Sequence, residues 1–281
     1  MRSISTIIFN KKILPADVSY ISHTDRGFTL GHGLFETILI KKNIYPALDY
    51  HWRRLVASAC LLEIRLPFSQ EELEWMLQKL IINNNLQEKL AGARVTITHG
   101  ESERGIVPLR APNPNFVITA FECAAPNDKP YSALVVNTRK NEHSIAAKVK
   151  SISYIDNILA KQEAMKQGYD EAILLNTASH IADGSISNIF MVKNNQIITP
   201  PIDDGALPGV VRAILLEEFS QDFSIIEESI QLTDLMCADE IFLTNALMGI
   251  KSVNKLNSKL FYSYSFANKM STMLREKKDY I

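Results

Sequence analysis

Residues 150–176 read KSISYIDNILAKQEAMKQGYDEAILLN, and this stretch decides the fold class. From about Ile152 to Lys166 it reads as a helix, with Gly168 placed where a helix commonly ends in a left-handed residue. The run at 171–175 that follows has strand length. Working outward, residues 133–137 form a strand ahead of it. Residues 188–192 and 196–199 form a hairpin pair around the Asn194-Asn195 turn. Further on, 210–219 reads as a helix, 240–244 as a buried strand and 258–277 as a closing helix.

The N-terminal half has the same mixed character. ARVTITH at 93–99 and NFVITAF at 115–121 are strands rich in β-branched residues. The polar stretch between them, with Gly100, Gly105 and several prolines, is a loop long enough to suggest function. Ser69 with Glu72 three residues on forms a capping box, and Leu73, Met76, Leu77 and Leu80 supply a helical apolar face. ECAAPNDKP at 122–130 interrupts two apolar runs. It divides a smaller N-terminal α/β domain, 1–121, from a larger C-terminal domain, 131–281. Strands and helices mix without regular βαβ alternation, so the class is α+β in two domains.

Composition narrows the function. The chain has 281 residues, 46% hydrophobic and 22% charged, with a formal net charge of −1. That balance gives no general reason to expect nucleic acid or a membrane surface as partner. No apolar run reaches the roughly 18–20 residues needed to cross a bilayer. The start carries a short apolar patch interrupted by lysines and followed by no small-residue cleavage site, so a cytoplasmic protein is expected. Cys60, Cys123 and Cys237 are widely spaced, and the six histidines show no HxxxH or HxH spacing, so no disulfide framework or metal site is expected.

Two lysines stand out. Lys148 and Lys150 flank Val149 between a polar loop and an apolar helix start. Spacing alone favours two solvated charges. A lysine at the edge of an apolar element can also lose its proton and attack a carbonyl.

Taken together, several segments resemble the class IV aminotransferase family of pyridoxal phosphate (PLP) enzymes. DRGFTLGHGLFETI at 25–38 is similar to its N-terminal signature, and HWRRL at 51–55 to its H-x-x-R-L. KSISYIDNILAKQEA at 150–164 is similar to its lysine segment. GYDEAILLN at 168–176 with ADGSISNIF at 182–190, LPGVVR at 207–212 and ADEIFLTNALMGIKSV at 238–253 complete the set in family order. The resemblance spans almost the whole chain.

It implies a fold type IV PLP enzyme, D-amino-acid aminotransferase-like. Lys150 would bind the cofactor's aldehyde and shuttle a proton, with Lys148 a bystander. Arg54 would bind the phosphate, with Arg53 a surface charge. Gly209, Val210 and Val211 would offer helix N-terminal amides, and Thr244 and Asn245 further phosphate contacts. Tyr154 would face the phenolic oxygen. Asp183 stands where the family usually has Glu, one methylene shorter, and is expected to pair with the pyridine nitrogen. His32 stands where GDG is usual and is expected to alter loop packing. Phe35, Arg94 and Arg104 are candidate substrate contacts. The implied partners are a small-molecule amine and a second copy of the chain, as a homodimer.

The family includes branched-chain and D-amino-acid aminotransferases and 4-amino-4-deoxychorismate lyase. TNALMGIKSV resembles the lyases, where Asn follows Thr. Gly92 stands where branched-chain enzymes carry a tyrosine, and KQEAMKQGYDEAILL resembles D-amino-acid aminotransferases. The lyase is the leading expectation and an aminotransferase the alternative. A catalytically impaired PLP-binding protein is a third reading, because Asp183, His32 and Val211 depart from the family pattern.

Overall fold

The computed structural model describes residues 6–18, 21–107, 113–124, 127–278 and 280. The first residues of the chain, part of the 100–114 loop and part of the 122–130 linker therefore lie outside the described residues. The chain divides into two units. One comprises residues 1–125 with Lys150–Ser153, the other residues 126–149 with 154–281.

In the first unit, β1 (Thr6–Phe9), β2 (Lys12–Pro15), α1 (Arg26–Leu30), β3 (Gly33–Lys41), α2 (Leu48–Leu61), α3 (Gln70–Asn83), β4 (Leu90–Thr98) and β5 (Phe116–Glu122) follow in order. The described strands form an antiparallel sheet in the order β2-β1-β5-β4-β3. The capping box at α3 is present, and Leu73, Met76, Leu77 and Leu80 are buried, as their spacing predicts. Asp25 caps α1 by accepting from the amides of Gly27 and Phe28, and is itself buried beneath Thr98 Oγ1 and Asn115 Nδ2. A Cβ on Gly27 would lie 2.2 Å from Thr98 Cγ2, so that close approach requires glycine.

The second unit begins with β6 (Tyr131–Lys140), α4 (Ile145–Lys148), α5 (Ile155–Lys166), β7 (Glu171–Asn176) and β8 (Ile181–Gly184). It continues through β9 (Asn188–Lys193), β10 (Gln196–Thr199), α6 (Val210–Glu218), β11 (Ile225–Glu227), α7 (Leu232–Met236), β12 (Glu240–Asn245), β13 (Gly249–Leu256), β14 (Lys259–Leu260) and α8 (Ser265–Lys278). Its mixed sheet runs β11-β10-β9-β12-β13-β6-β7-β8, with β14 beside β13. The β9–β10 turn has positive φ at both Asn194 and Asn195, the left-handed pair that a tight hairpin needs. An apolar layer including Ile173, Ile189, Ile241, Leu243 and Val253 packs one face.

One expected element is corrected. The closing helix predicted from Ser258 begins at Ser265 instead. Asn257 adopts φ 51° and reverses the chain into β14. The buried Glu240 carboxylate then accepts the amides of Phe266 and Ala267, which fixes where the helix starts.

Candidate active site

Lys150–Ser153 belong to the first unit although the residues on either side of them in sequence do not. The Phe35 amide donates to the Lys150 carbonyl at 2.9 Å, the Ile152 amide donates to the Gly33 carbonyl, and Ser151 bridges to Leu34. The lysine segment is thereby clipped antiparallel to the start of β3. Lys150 Nζ lies 4.3 Å from the Phe35 ring centroid, and the Arg94 guanidinium lies 3.8 Å from the same centroid. Phe35 and Arg94, both among the expected substrate contacts, thus sit together with the lysine. Lys148 is half-exposed and paired with Asp203 at 3.1 Å, as a bystander would be. Arg104 lies exposed in the loop after β4.

His51 and Arg54 share one face of α2 by their three-residue spacing. Both meet Glu36 on β3. Arg54 Nε donates to Oε1 at 2.8 Å and Nη2 to Oε2 at 2.6 Å, a fork-to-carboxylate pair. His51 Nδ1 lies 2.7 Å from Oε2. Burial pushes the Glu36 carboxyl up, but the charge and fork of Arg54 and the His51 hydrogen bond prevail and hold it at about 2. Burial holds the His51 imidazole below its ordinary range despite the Glu36 hydrogen bond that pulls the other way. A neutral His51 therefore donates Nδ1–H to Glu36, and its buried Nε2 has no hydrogen-bond partner. Arg53 projects over the Tyr50 ring instead.

In the second unit Asp183 lies near the end of β8, almost wholly buried at 3% exposed. Its Oδ1 accepts from the Gly184 amide and its Oδ2 from the Leu207 amide at 2.9 Å, while Asn188 Nδ2 reaches both oxygens. Lys140 Nζ stands 3.8 Å from Oδ2. Burial raises the carboxyl to about 6, although the Lys140 charge, the Leu207 amide, the Arg212 charge and the Gly184 amide all lower it. An ionised carboxylate has about four acceptor sites. Gly184, Asn188 and Leu207 supply the donors, with Asn188 shared between the two oxygens.

Gly209 is the N-cap of α6 and has no side-chain cap bond. The following amides, of the buried Val210 and Val211, open the helix where an anion is favoured. A Cβ on Gly209 would come 1.7 Å from Asn188 Oδ1, so the Asn188 side chain requires glycine there. Thr244, at the end of β12, is buried with its Oγ1 unpartnered. Asn245 Oδ1 accepts from the Leu247 and Met248 amides and so builds the turn into β13. Tyr154 is the N-cap residue of α5.

Each unit, taken by itself, carries groups of kinds that could hold a phosphate-bearing pyridine cofactor. The first has an amine, a fixed guanidinium and a buried imidazole with one nitrogen unpaired. The second has a buried carboxylate, a helix N-terminus without a side-chain cap and a buried hydroxyl with no hydrogen-bond partner. Glu36, His51, Lys140 and Asn188 were given no role by the sequence reading. Glu36 and His51 were within reach, because each lies inside a quoted motif and His51 sits one helical turn from Arg54. His32 stacks on His99 at 4.5 Å, accepts from Arg26 Nε at its Nδ1 and meets the Leu62 carbonyl at its Nε2, a packing role.

Among the described residues no group of three or more His, Cys, Asp or Glu side chains is arranged to hold a metal, and no helix is long and apolar enough to cross a membrane. The amino-transferase class IV family model matches residues 33–256. A Methanocaldococcus jannaschii protein named for branched-chain-amino-acid aminotransferase is 30% identical over 261 residues, 90% of this chain and 88% of that one. The aminodeoxychorismate lyase of Bacillus subtilis is 29% identical over 277 residues, 97% of this chain and 94% of that one. A solved Legionella pneumophila structure, described as a 4-amino-4-deoxychorismate lyase, is 28% identical with a TM-score of 0.86, covering 94% of this chain and 97% of that one. The chain belongs to the class IV aminotransferase family and is a PLP-dependent enzyme of fold type IV.

Proposed function

We propose that the chain is a 4-amino-4-deoxychorismate lyase, releasing pyruvate and p-aminobenzoate for folate synthesis. The turn after β12 carries this reading. Where aminotransferases tend to place two small or hydroxyl residues, Thr244 is followed by Asn245, whose Oδ1 is committed to the Leu247 and Met248 amides. The position of the branched-chain tyrosine supports it as well. A Cβ on Gly92 would meet the Phe121 ring at 2.6 Å, so the sheet has no room for a larger side chain there.

Bound PLP supplies an aldehyde that captures amines and a ring that accepts electrons. Lys150 would hold the cofactor and move a proton at its Nζ, taking it from the substrate's amine-bearing carbon. The enolpyruvyl C–O bond would then break as the ring becomes aromatic, and Lys150 would return the proton to the departing enolpyruvate, which leaves as pyruvate. Arg54, the Gly209, Val210 and Val211 amides, Thr244 and Asn245 would hold the phosphate. Tyr154 would serve the phenolic oxygen and Asp183 would accept from the pyridine N–H. Arg94 beside Phe35 binds a substrate carboxylate, with Arg104 a further contact. The alternative is an amino-acid aminotransferase, supported by the 30% identity to the archaeal relative.

The enzyme acts in the cytoplasm as a homodimer. Exposed Ile155, Ile158 and Leu159 share one face of α5, and exposed Ile186 adds to the apolar surface of this unit, as a face covered by a second copy would. The test is p-aminobenzoate fluorescence after adding 4-amino-4-deoxychorismate to PLP-loaded protein. Product lost in Lys150→Ala is expected. No product, with turnover of D- or branched-chain amino acids and 2-oxoglutarate, would replace the lyase by an aminotransferase. Failure in both assays would favour the impaired protein.

A further inference from the structure

Lys140 closes β6 and pairs with Asn176 of β7, while Asp183 of β8 pairs with Leu174 of the same strand. Residues 174 and 176 face the same side of β7 because side chains alternate, so their partners share that side as well. Lys140 owes this place to an irregularity. The pairing slips between Val135 and Arg139, where β6 spends four positions against two of β7. Its stem passes Gly205, where an added Cβ would lie 3.6 Å from Lys140 Cγ. The ammonium ends 3.8 Å from Asp183 Oδ2, with both side chains largely withdrawn from solvent.

We propose that Lys140 is a positioning residue that keeps Asp183 in its anionic form, ready to accept the N–H of the cofactor's pyridine ring. This rests on the role given above to Asp183. The neighbours of the carboxylate show why one cation matters. Asn188 from β9 and the Leu207 and Gly184 amides are neutral donors, and Arg212 from α6 acts on it through its charge without a hydrogen bond. Lys140 is the charged group in ion-pair contact. A carboxyl held neutral would keep its own proton and lose its preference for a protonated ring. Burial drives Asp183 toward that neutral form, and Lys140 is the largest opposing influence.

The test uses apo protein labelled with [13C]aspartate, in which the Asp183 carboxyl is titrated by NMR. Lys140→Met keeps the stem and removes the charge, and should raise the titration midpoint by about one unit. Lys140→Arg should restore it. A midpoint that ignores Lys140→Met overturns the proposal. Should Lys140→Met fail to fold, Lys140→Gln is read the same way. The pyridine nitrogen is then followed as the 15N resonance of [15N]PLP in loaded protein. With Lys140→Met the protonated fraction of this signal near neutral pH should be smaller than in wild type, because the shared proton moves to the carboxyl. If this signal ignores Asp183→Asn, the pyridine role of Asp183 falls, and the functional half of the proposal with it. If it responds to Asp183→Asn but not to Lys140→Met, the Lys140 proposal alone falls.

Discussion

Glu36 grips Arg54 through two contacts, Nε to Oε1 at 2.8 Å and Nη2 to Oε2 at 2.6 Å, and takes His51 Nδ1 on the same Oε2. A guanidinium held in this way cannot rotate about its own axis, so its plane is set before any phosphate arrives. Replacing Glu36 by Gln leaves a buried cation short of its counter-charge. Breaking such a pair from one side costs about 3 kcal/mol. Urea unfolding of the apo protein should register that loss, and PLP affinity should fall because Arg54 loses its fixed plane. Unchanged stability in Glu36→Gln would mean that Arg54 is held by other groups.

The same cluster sets an acid limit. The Glu36 carboxyl sits at about 2 in the folded chain against an ordinary 4.5, so the unfolded chain binds its proton more readily. Its contribution is complete above pH 4.5 and is lost as pH falls toward 2. The full shift corresponds to about 3 kcal/mol, of which about 2 should be gone by pH 3. Unfolding free energies of apo wild type and Glu36→Gln from urea titrations, compared at pH 6 and pH 3, should converge by that amount. Parallel pH dependences would place the acid sensitivity elsewhere.

Asp183 behaves in the opposite sense. Its carboxyl is raised to about 6 from 3.8, chiefly by burial, so the folded apo chain holds the proton more tightly than the unfolded one. Its contribution to stability is fully present below pH 3.8 and lost as pH rises through 6. The unfolding free energy of apo Asp183→Asn, relative to wild type, should therefore grow by about 2.5 kcal/mol between pH 4 and pH 8. The pH dependence of that difference matters rather than its absolute value, because Asn also rearranges its donors beside Asn188. A flat difference across that range would show that Asp183 titrates normally.

How much of this was legible in the sequence varied with the distance over which it was encoded. The α3 capping box and the Asn194-Asn195 turn rest on residues one turn apart or less, and both were readable. The Ser258 helix start was misread because its boundary is set by Glu240, which lies 26 and 27 positions from the amides it caps. Lys150 and Arg54 stood out by resemblance, whereas spacing alone left Lys150 beside Lys148 as a surface charge. Lys140 was not readable at all. Its approach to Asp183 depends on a slip in β6 pairing, and nothing in NTRKNE distinguishes it from the exposed Arg139.

Gly209 offers a test of how tightly the phosphate amides and the carboxylate are joined. Its φ of −69° and ψ of 145° suit any residue, so alanine meets no backbone penalty there. The obstacle is steric, since the new Cβ would stand 1.7 Å from Asn188 Oδ1. Asn188 must then move, and its Nδ2 also holds Asp183 and the Leu207 carbonyl. Gly209→Ala should destabilise the apo protein by about 1–3 kcal/mol, as overpacking does, and weaken PLP binding. In an Asn188→Gly background the clash has no partner, so adding Gly209→Ala should cost much less than it does in wild type. If the two costs simply add, Asn188 and Gly209 are independent, and the link from the helix N-terminus to Asp183 is absent.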